Sequence, residues 1–530
     1  VAERRATALW AVSLAALAVL VGFPLLELLR AAAGAGAWAA VEGAGGAVAN
    51  TLWTSAAAAV IALLIGAGAA LAVERGALPF PRTLRAGLLV PLVVPAFVSA
   101  FAWGQAYGPG GLTYDLLGLS WPGVFGAGGV VAVLVVEIVP LAYLVVAAAL
   151  AGRARPDLER AARMAGAGPG TAFRTVTLPL LRPALVAAGG IGFVVAANSF
   201  GVPALLGLPA GFGTMTTRIY QDLVRSAAPQ AFASVLALSG ALVAVTAGVV
   251  VSTDAAAGLG AVAGWTAEPT GSPEQAGRRR GWAGLLLAVW VAATSVLPLA
   301  ALALTALAPA PGVAPTPAAW TLENFRTAFA GRPLAALRTS LLLAAAAAAL
   351  AVVLGGIAAA LGKRKGGRAV GRAVVLTFAL PGSALAVSML LAYGGLLRDT
   401  PALILLAYLG KFWALGHRPL AGSLEALAPE PGRAARASGA GPLTALRTVT
   451  IPMLAPALVV AALVVFLFAL HELTMSSLLH GPGAETLAVV ILDVRSLGDV
   501  NLTAALACLL AGLLLAGAGA VALLRRRIRR

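Results

Sequence analysis

The sequence predicts an all-α membrane protein with about 12 transmembrane helices arranged as two homologous six-helix halves. Three observations lead there. Charged residues make up 11% of the 530 positions and apolar ones 60%, with a mean hydropathy of +0.95. A soluble domain carries about 25% charged residues, so an ordinary soluble enzyme and a disordered chain are both excluded. The apolar residues fall in runs of about 20, the length that crosses a hydrocarbon core of roughly 30 Å. Finally, a long segment of the chain recurs at a constant offset without gaps.

Taken in order, the apolar runs place spans at 7–29, 50–73, 86–107, 129–151, 183–206, 231–252, 282–307, 338–361, 371–395, 401–423, 454–479 and 500–524. The first follows Glu3-Arg4-Arg5 and is long enough to span, so no cleavable leader is expected. The tenth is the least apolar, because Lys411, His417 and Arg418 interrupt it. With the N-terminal end in the cytoplasm, 28 of the 37 basic residues fall on the cytoplasmic face. Eight fall on the other face and Lys411 lies within a span. That asymmetry predicts both termini inside and a multi-pass protein; the bacterial cytoplasmic (inner) membrane is what the family resemblance given below implies. The asymmetry also requires an even number of spans, which supports the tenth. The net charge of +17 is therefore read as topology-setting charge in contact with the lipid bilayer. It is scattered over short loops and forms no patch for nucleic acid. One Cys, Cys508, cannot form an intrachain disulfide, and it cannot build a structural zinc site with three His. No metal site is expected. Residues 253–281, rich in Gly, Ala and Pro, read as a cytoplasmic linker. It separates a first half, 1–252, from a second, 282–530.

The repeat aligns residues 156–185 with 429–458, and 20 of the 30 positions are identical. Each copy lies between the fourth and fifth spans of its half, in the cytoplasm. The two loops are 153–182 and 424–456. Equal parity makes the halves parallel repeats about an axis along the membrane normal. Loops ordinarily vary more than the helices they join, yet here the loops are the best-matched part of the halves. Local chemistry gives each copy a shape. Arg160-Ala161-Ala162-Arg163-Met164-Ala165 is a run of strong helix formers. Gly166 ends it in the left-handed cap conformation, and Gly168-Pro169 turn the chain. Thr171 is placed to cap a second short helix through Arg174. Pro179 and Pro183 are then expected to direct the chain back to the membrane. The product is a compact elbow with an alanine face that another protein can approach closely.

Each copy resembles the Glu-Ala-Ala signature loop of ABC importer permeases of the binding-protein-dependent (type I) family, in the fused two-half form. The matching residues are Ala161-Ala162, Gly166, Val176 and Leu178-Pro179, then Ala434-Ala435, Gly439, Val449 and Ile451-Pro452. The resemblance implies the type I permease fold. It also implies that each loop is a coupling helix seated in a groove of a separate cytoplasmic ABC ATPase. The signature Glu is replaced by Arg160 and Arg433, so Asp157, Glu159 and Glu430 are the candidate acidic contacts there. The chain lacks a Gly-x-x-x-x-Gly-Lys-Ser/Thr loop; Gly362-Lys363 and Gly410-Lys411 have none of the rest. It therefore cannot cradle ATP. On this reading it is a transport subunit with no catalytic residues and no cofactor of its own. ATP-Mg is used by the partner ATPase, expected as a homodimer.

Ionisable groups inside spans cost about 2.5–3.5 kcal/mol each on insertion scales. His471-Glu472 and, at the same offset, Asn198-Ser199 interrupt the fifth span of each half. Two readings stand: the pairs line or gate a central route, or they form a satisfied interhelical hydrogen-bond cluster. Glu137 and Lys411 occupy nearly matching places in the fourth and tenth spans. They either pair across the halves or hold separate neighbours. A secondary carrier can also have 12 spans, but it would need no paired docking loops. A membrane-embedded enzyme would need a ligand cluster that the scattered His do not provide.

Segments 201–209 and 478–489, with the fused layout and length, resemble ferric iron permeases. Fused thiamine permeases share the layout, and polyamine, sulfate and phosphonate permeases are more distant. The resemblance further implies an extracytoplasmic solute-binding protein that selects the cargo. His480, Asp493 and Asp499 invite an iron-ligand reading against the alternative of solvated loop groups.

Overall fold

The computed structural model describes residues 2–33, 43–76, 78–226, 228–257, 281–313, 316–362, 364, 366–428 and 430–528. Residues 258–280 of the expected linker lie outside them. Nine helices among the described residues are long and apolar enough to span. They are α1 (Thr7–Ala32), α2 (Gly45–Arg75), α5 (Ala127–Gly152), α7 (Pro169–Ala197), α9 (Gln230–Ala256), α10 (Gly281–Leu307), α11 (Gly331–Leu361), α16 (Pro442–Leu470) and α19 (Val500–Leu524). Two further spans are bent pairs: α3 (Pro81–Val93) with α4 (Ala96–Tyr107), and α12 (Gly367–Thr377) with α13 (Gly382–Leu397). The bends are 107° and 103°.

The tenth expected span is α14 (Pro401–Ala426), a continuous helix of 26 residues, about 39 Å long at 1.5 Å per residue. Lys411, His417 and Arg418 make it too polar to qualify by hydropathy. Its surroundings make up the difference. Tyr408 and Trp413 are fully enclosed, and the Trp413 indole donates to Thr377 Oγ1 at 3.0 Å. The helix is shielded from lipid by protein, so its polar groups meet partners rather than hydrocarbon.

The expected third and ninth spans, 86–107 and 371–395, are not straight helices. Pro95 and Pro381 each stand at the break, where the missing N–H and the restriction on the preceding residue end a helix. Each bent pair nevertheless crosses once. Arg75, ending α2, bonds Glu159, just beyond the end of α5, at 2.8 Å. The two helices therefore finish at one face, and α3–α4 carries the chain to the other. In the second half, Gly355 of α11 packs on His417 of α14 and Gly356 on Leu420, the same parallel arrangement.

Pro179 and Pro183, expected to direct the chain back to the membrane, lie inside a candidate spanning helix and do not interrupt it. Helix α7 runs through both, and α16 runs through Pro452 and Pro456. A π-turn precedes the first proline in each, at Phe173–Thr177 and Leu446–Thr450. The same device precedes Pro24 (Ala18–Gly22), Pro209 (Pro203–Gly207) and Pro298 (Ala292–Val296). A proline ring collides with the carbonyl four residues back in a regular α-helix. The wider π-turn moves that carbonyl away without ending the helix. Thr171 is accordingly inside α7, not a cap. Gly168 holds the cap position.

The first span of each half packs on the other half. Helix α1 lies on α13, with the Tyr393 hydroxyl donating to Val19 O at 2.7 Å and Phe23 against the Tyr393 ring. Helix α10 lies on α4, where the Trp103 indole donates to Thr294 O at 3.3 Å and the Tyr107 hydroxyl bonds Ala293 O. Val19, Ala293 and Thr294 all sit in π-turns, whose altered pairing leaves carbonyls open to an incoming donor.

Candidate functional site

Two regions carry the candidate residues: the pair of elbows at one face, and the seam between the halves. The first elbow is α6 (Pro156–Met164) followed by the start of α7; the second is α15 (Glu430–Ala437) followed by the start of α16. Pro429 lies outside the described residues. In the first, Ala167 N donates to Ala162 O and Gly166 N to Arg163 O, each at 3.0 Å, with Gly166 at φ +92°. This is the paired-bond C-cap that needs a residue in the left-handed region. In the second, Ala440 N donates to Ala435 O at 3.0 Å, with Gly439 at φ +85°. The repeat in sequence is thus a repeat in backbone. Asp157, Arg160, Ala161, Glu430, Arg433 and Ala434 are exposed, and Ala162 and Ala435 are half-exposed. Asp157 bonds Arg155 and Arg160. Pro179 and Pro452 lie just within the long helices, past the π-turns.

Glu159 does not face outward as an acidic contact. It is half-buried against Arg75, which also donates to Ala154 O. The pair ties the first elbow to the end of α2. The second elbow lacks the tie. Gly432 stands where Glu159 does, and Leu361 ends α11 where Arg75 ends α2. Sequence reading missed Arg75, because the partner lies 84 residues away. Arg75→Ala should loosen only the first elbow. We expect a stability loss of about 1 kcal/mol for a half-buried pair. A variant that melts with the wild type would remove this role.

At the seam, α7 ends at Ala197 and α16 at Leu470. The chain restarts in helix at Gly201 and at α17 (Thr474–Leu479). The expected fifth spans, 183–206 and 454–479, are therefore broken at their polar pairs. The two breaks meet across the halves. Asn198 Nδ2 donates to Ala379 O, in the bend of the second half, at 3.4 Å. A Cβ on Gly201 would lie 3.3 Å from Leu473 Cδ2. Asn198 Oδ1 is buried without a partner, and Ser199 O accepts from Thr216 Oγ1 at 2.8 Å.

Glu472 is turned onto its own chain. Its carboxylate accepts from Met475 N at 2.8 and 2.9 Å, from Ser476 N at 3.0 Å and from Ser476 Oγ at 3.1 Å. Those are the open N–H groups that begin α17. Ser476 Oγ also bonds the Tyr408 hydroxyl at 2.7 Å. Lys411 supplies the opposite charge, its Nζ lying beside Gly382 at the start of α13. His471 Nδ1 is 2.6 Å from Leu467 O, and its ring packs on Phe468. Glu137 interacts instead with Ser99 of its own half. Glu137 and Lys411 thus hold separate neighbours.

Beyond the breaks, the chain folds back inward rather than forming a solvated loop. Met215, Thr217 and Ile219 are fully buried in α8 (Met215–Tyr220), as are Ala488 and Val490 in α18 (Leu487–Ser496). Thr51 Oγ1 accepts from Met215 N, and Ser340 Oγ from Leu487 N, both at 2.8 Å. Asp493 bonds Arg332 at 2.6 Å, and Arg332 grips Glu485 by two 2.6 Å bonds. This holds the Glu485 carboxyl below its ordinary pKa. Asp499 Oδ1 accepts from Leu502 N at 3.0 Å, within the first turn of α19. Among the described residues no three His, Cys, Asp or Glu side chains gather as a metal-ligand set.

The sequence pattern of the family described as "Binding-protein-dependent transport system inner membrane component" matches residues 67–257 and 351–530. The chain is 26% identical over 504 residues to a probable ABC transporter permease protein, y4fN, of Sinorhizobium fredii, covering 90% of this chain and 87% of that protein. It is 37% identical over 150 residues to the molybdenum transport system permease protein ModB of Mycobacterium tuberculosis, covering 28% of this chain and 56% of that one. It is 28% identical over 130 residues to the Fe(3+)-transport system permease protein FbpB 2 of Haemophilus influenzae, covering 24% and 26%.

Proposed function

The chain belongs to the family of binding-protein-dependent transport system inner membrane components, as an ABC importer permease in fused two-half form, and on that premise we propose how it works and what it carries. The single observation that carries the reading is the pair of elbows with matching caps at one face of the molecule. Two docking points with matching caps on one chain suit a motor of two equivalent subunits. The motor is therefore a homodimeric cytoplasmic ABC ATPase, which binds and hydrolyses ATP-Mg while this chain binds no cofactor. The elbows, both chain ends and the linker lie in the cytoplasm of a bacterial cell, in line with the basic excess on that face. The halves are 1–252 and 282–530.

A loaded solute-binding protein docks on the opposite face, ATP closes the motor dimer, and the elbows pass that closure to α7 and α16. Both helices run unbroken from elbow to seam break, so a tilt at the elbow moves Asn198-Ser199 against His471-Glu472. These four residues form the gate of the route.

Two cargo readings are put forward. Ferric iron follows from segments 201–209 and 478–489 and from the ferric relative. An oxyanion follows from the molybdenum relative, which is more similar over a segment of comparable length. Reconstitution with the partner ATPase and candidate binding proteins tests both. Iron, molybdate, thiamine and polyamine are compared for stimulated ATP hydrolysis and vesicle uptake. We expect one of the first two to stimulate. A chain that moves solute down an ion gradient, with no response to ATP, is a secondary carrier instead.

A further inference from the structure

On the face opposite the elbows, the first half carries a segment that the second half lacks. Residues 108–126 join α4 to α5, where residues 398–400 suffice to join α13 to α14. The segment forms a short helix, Leu112–Leu117, and then returns to α5. One side of it is fixed to the protein. Thr113 Oγ1 donates to Ala106 O at 2.9 Å, and Trp121 N to Tyr107 O at 2.7 Å. Leu112 is buried in a cluster with Ala106 and with Ala301 of α10, flanked by Leu297 and Leu304. The other side is bare and apolar. Leu116, Leu117 and Leu119 are 65%, 68% and 64% exposed, and Tyr114 and Trp121 are exposed beside them. Contiguous apolar surface of this kind marks a contact with a protein or with a membrane.

Depth, continuity and charge choose the membrane. Arg278-Arg279-Arg280 immediately precede Gly281 in sequence, a basic anchor for the cytoplasmic end of α10. Ala301 is about 30 Å further along that helix at 1.5 Å per residue, the thickness of the hydrocarbon core. Arg153 follows α5 at its cytoplasmic end. A Cβ on Gly128 of α5 would lie 3.4 Å from Trp121 Cζ2, and Gly128 is about 36 Å from Gly152 along the helix. A tilt of about 20° shortens these spans to roughly 28 and 34 Å. The segment therefore sits where outer acyl chains give way to headgroups. Val289 and Val296 of α10 are exposed, so the apolar side of that helix continues past Leu297 into the leucines. From Arg85 to Glu137 the chain has one charged residue between them, Asp115. The same face of the second half instead carries the ion pairs of Glu323 with Arg326 and of Arg332 with Glu485 and Asp493. A soluble partner is met by a polar rim, and this segment offers none.

We propose that residues 112–121 are an interfacial anchor: Leu116, Leu117 and Leu119 enter the upper acyl chains of the outer leaflet, and Tyr114 and Trp121 sit among the headgroups. The partner is lipid. The anchor holds the outer end of the bent span α3–α4, and α10 through Trp103 and Tyr107, at a fixed depth. It needs only a chain that spans the membrane, and so goes beyond the cargo reading without depending on it.

The single Cys makes a direct test practical. In a Cys508→Ala background the full chain carries one nitroxide, through Leu117→Cys or, as a second site, Leu119→Cys. Leu286→Cys in α10 is the lipid-facing reference and Leu158→Cys in the first elbow the water-facing one; both parent side chains are exposed. The chain is placed in vesicles of phosphatidylcholine and phosphatidylglycerol and freeze-thawed with the probes. Electron paramagnetic resonance measures collisions with oxygen, which concentrates in lipid, and with a water-soluble nickel chelate. We expect the oxygen-to-nickel ratio at Leu117 and Leu119 to exceed that at Leu158 by about ten-fold and to approach that at Leu286. A ratio like that at Leu158 leaves the leucines in water, open to a soluble partner, and overturns the anchor. A label that meets neither probe is covered by protein and overturns it too. With Leu116→Asp and Leu117→Asp together, the Leu119→Cys ratio should fall toward the Leu158 value, and an unmoved ratio overturns the anchoring role of the two leucines.

Discussion

Gly166→Val should stop cargo uptake while the chain still inserts and folds, and Gly439→Val should do the same from the other elbow. Both glycines lie at positive φ, +92° and +85°. A Cβ at either would meet nothing within 4 Å. The damage is therefore conformational and not steric. A β-branched residue in that region costs roughly 1–3 kcal/mol. The helix it ends has nine residues in the first elbow and eight in the second, too short to hold without its cap. The cap opens, the orphan carbonyls of Ala162 and Ala435 lose their partners, and the alanine face is re-aimed. Uptake in vesicles should fall at least ten-fold in each single variant. Asparagine, which tolerates the left-handed region, should retain most activity, and alanine should fall between. If both valine variants import cargo like wild type, the elbows are not the coupling elements.

Glu472→Ala should be the most destabilising single change at the seam. It removes the acceptor for Met475 N, Ser476 N and Ser476 Oγ and the negative charge that acts on Lys411 from beyond salt-bridge distance. A buried donor left unsatisfied costs about 1–3 kcal/mol. We expect a lower melting temperature in detergent and no measurable transport. The double variant Glu472→Ala/Lys411→Met should melt closer to wild type than the single one, because removing both charges abolishes the imbalance. Transport should stay low even there, since α17 still lacks its amide acceptor. A single variant that melts with the wild type would show that the carboxylate has no structural share in the seam.

Much of this was legible in one dimension, and the misses have identifiable causes. The Gly166 and Gly439 caps were readable because a helix stop is a local signal. The span holding Lys411, His417 and Arg418 was recoverable from parity, though hydropathy alone argued against it. The polar pairs were correctly placed at equivalent points, but each marks the end of a helix rather than a polar step along one. Proline rules failed at one pair of sites and held at another. Pro179 and Pro183 sit in helix because a π-turn absorbs the clash, whereas Pro95 and Pro381 sit at sharp bends. Glu159 was assigned to the motor because its partner Arg75 is distant in sequence. Asp493 and Asp499 were weighed as ligands or solvated groups, and are bonded to Arg332 and to the first turn of α19.

The sequence by itself determined the membrane environment, the two-fold repeat and the pair of capped elbows. Those properties follow from hydrophobicity, charge and turn chemistry, all of which act over fewer than about 30 residues. Only the tertiary structure decided that the first span of each half packs on the other. The same holds for the meeting of the broken fifth spans, for the nearness of Lys411 to Glu472 and for the packing of Arg495 on the Phe101 ring of the opposite half. Each of these depends on which helices approach closely, and in a bilayer that choice is made by small-residue packing and by partners for buried polar groups. Apolar periodicity alone carries no information about it.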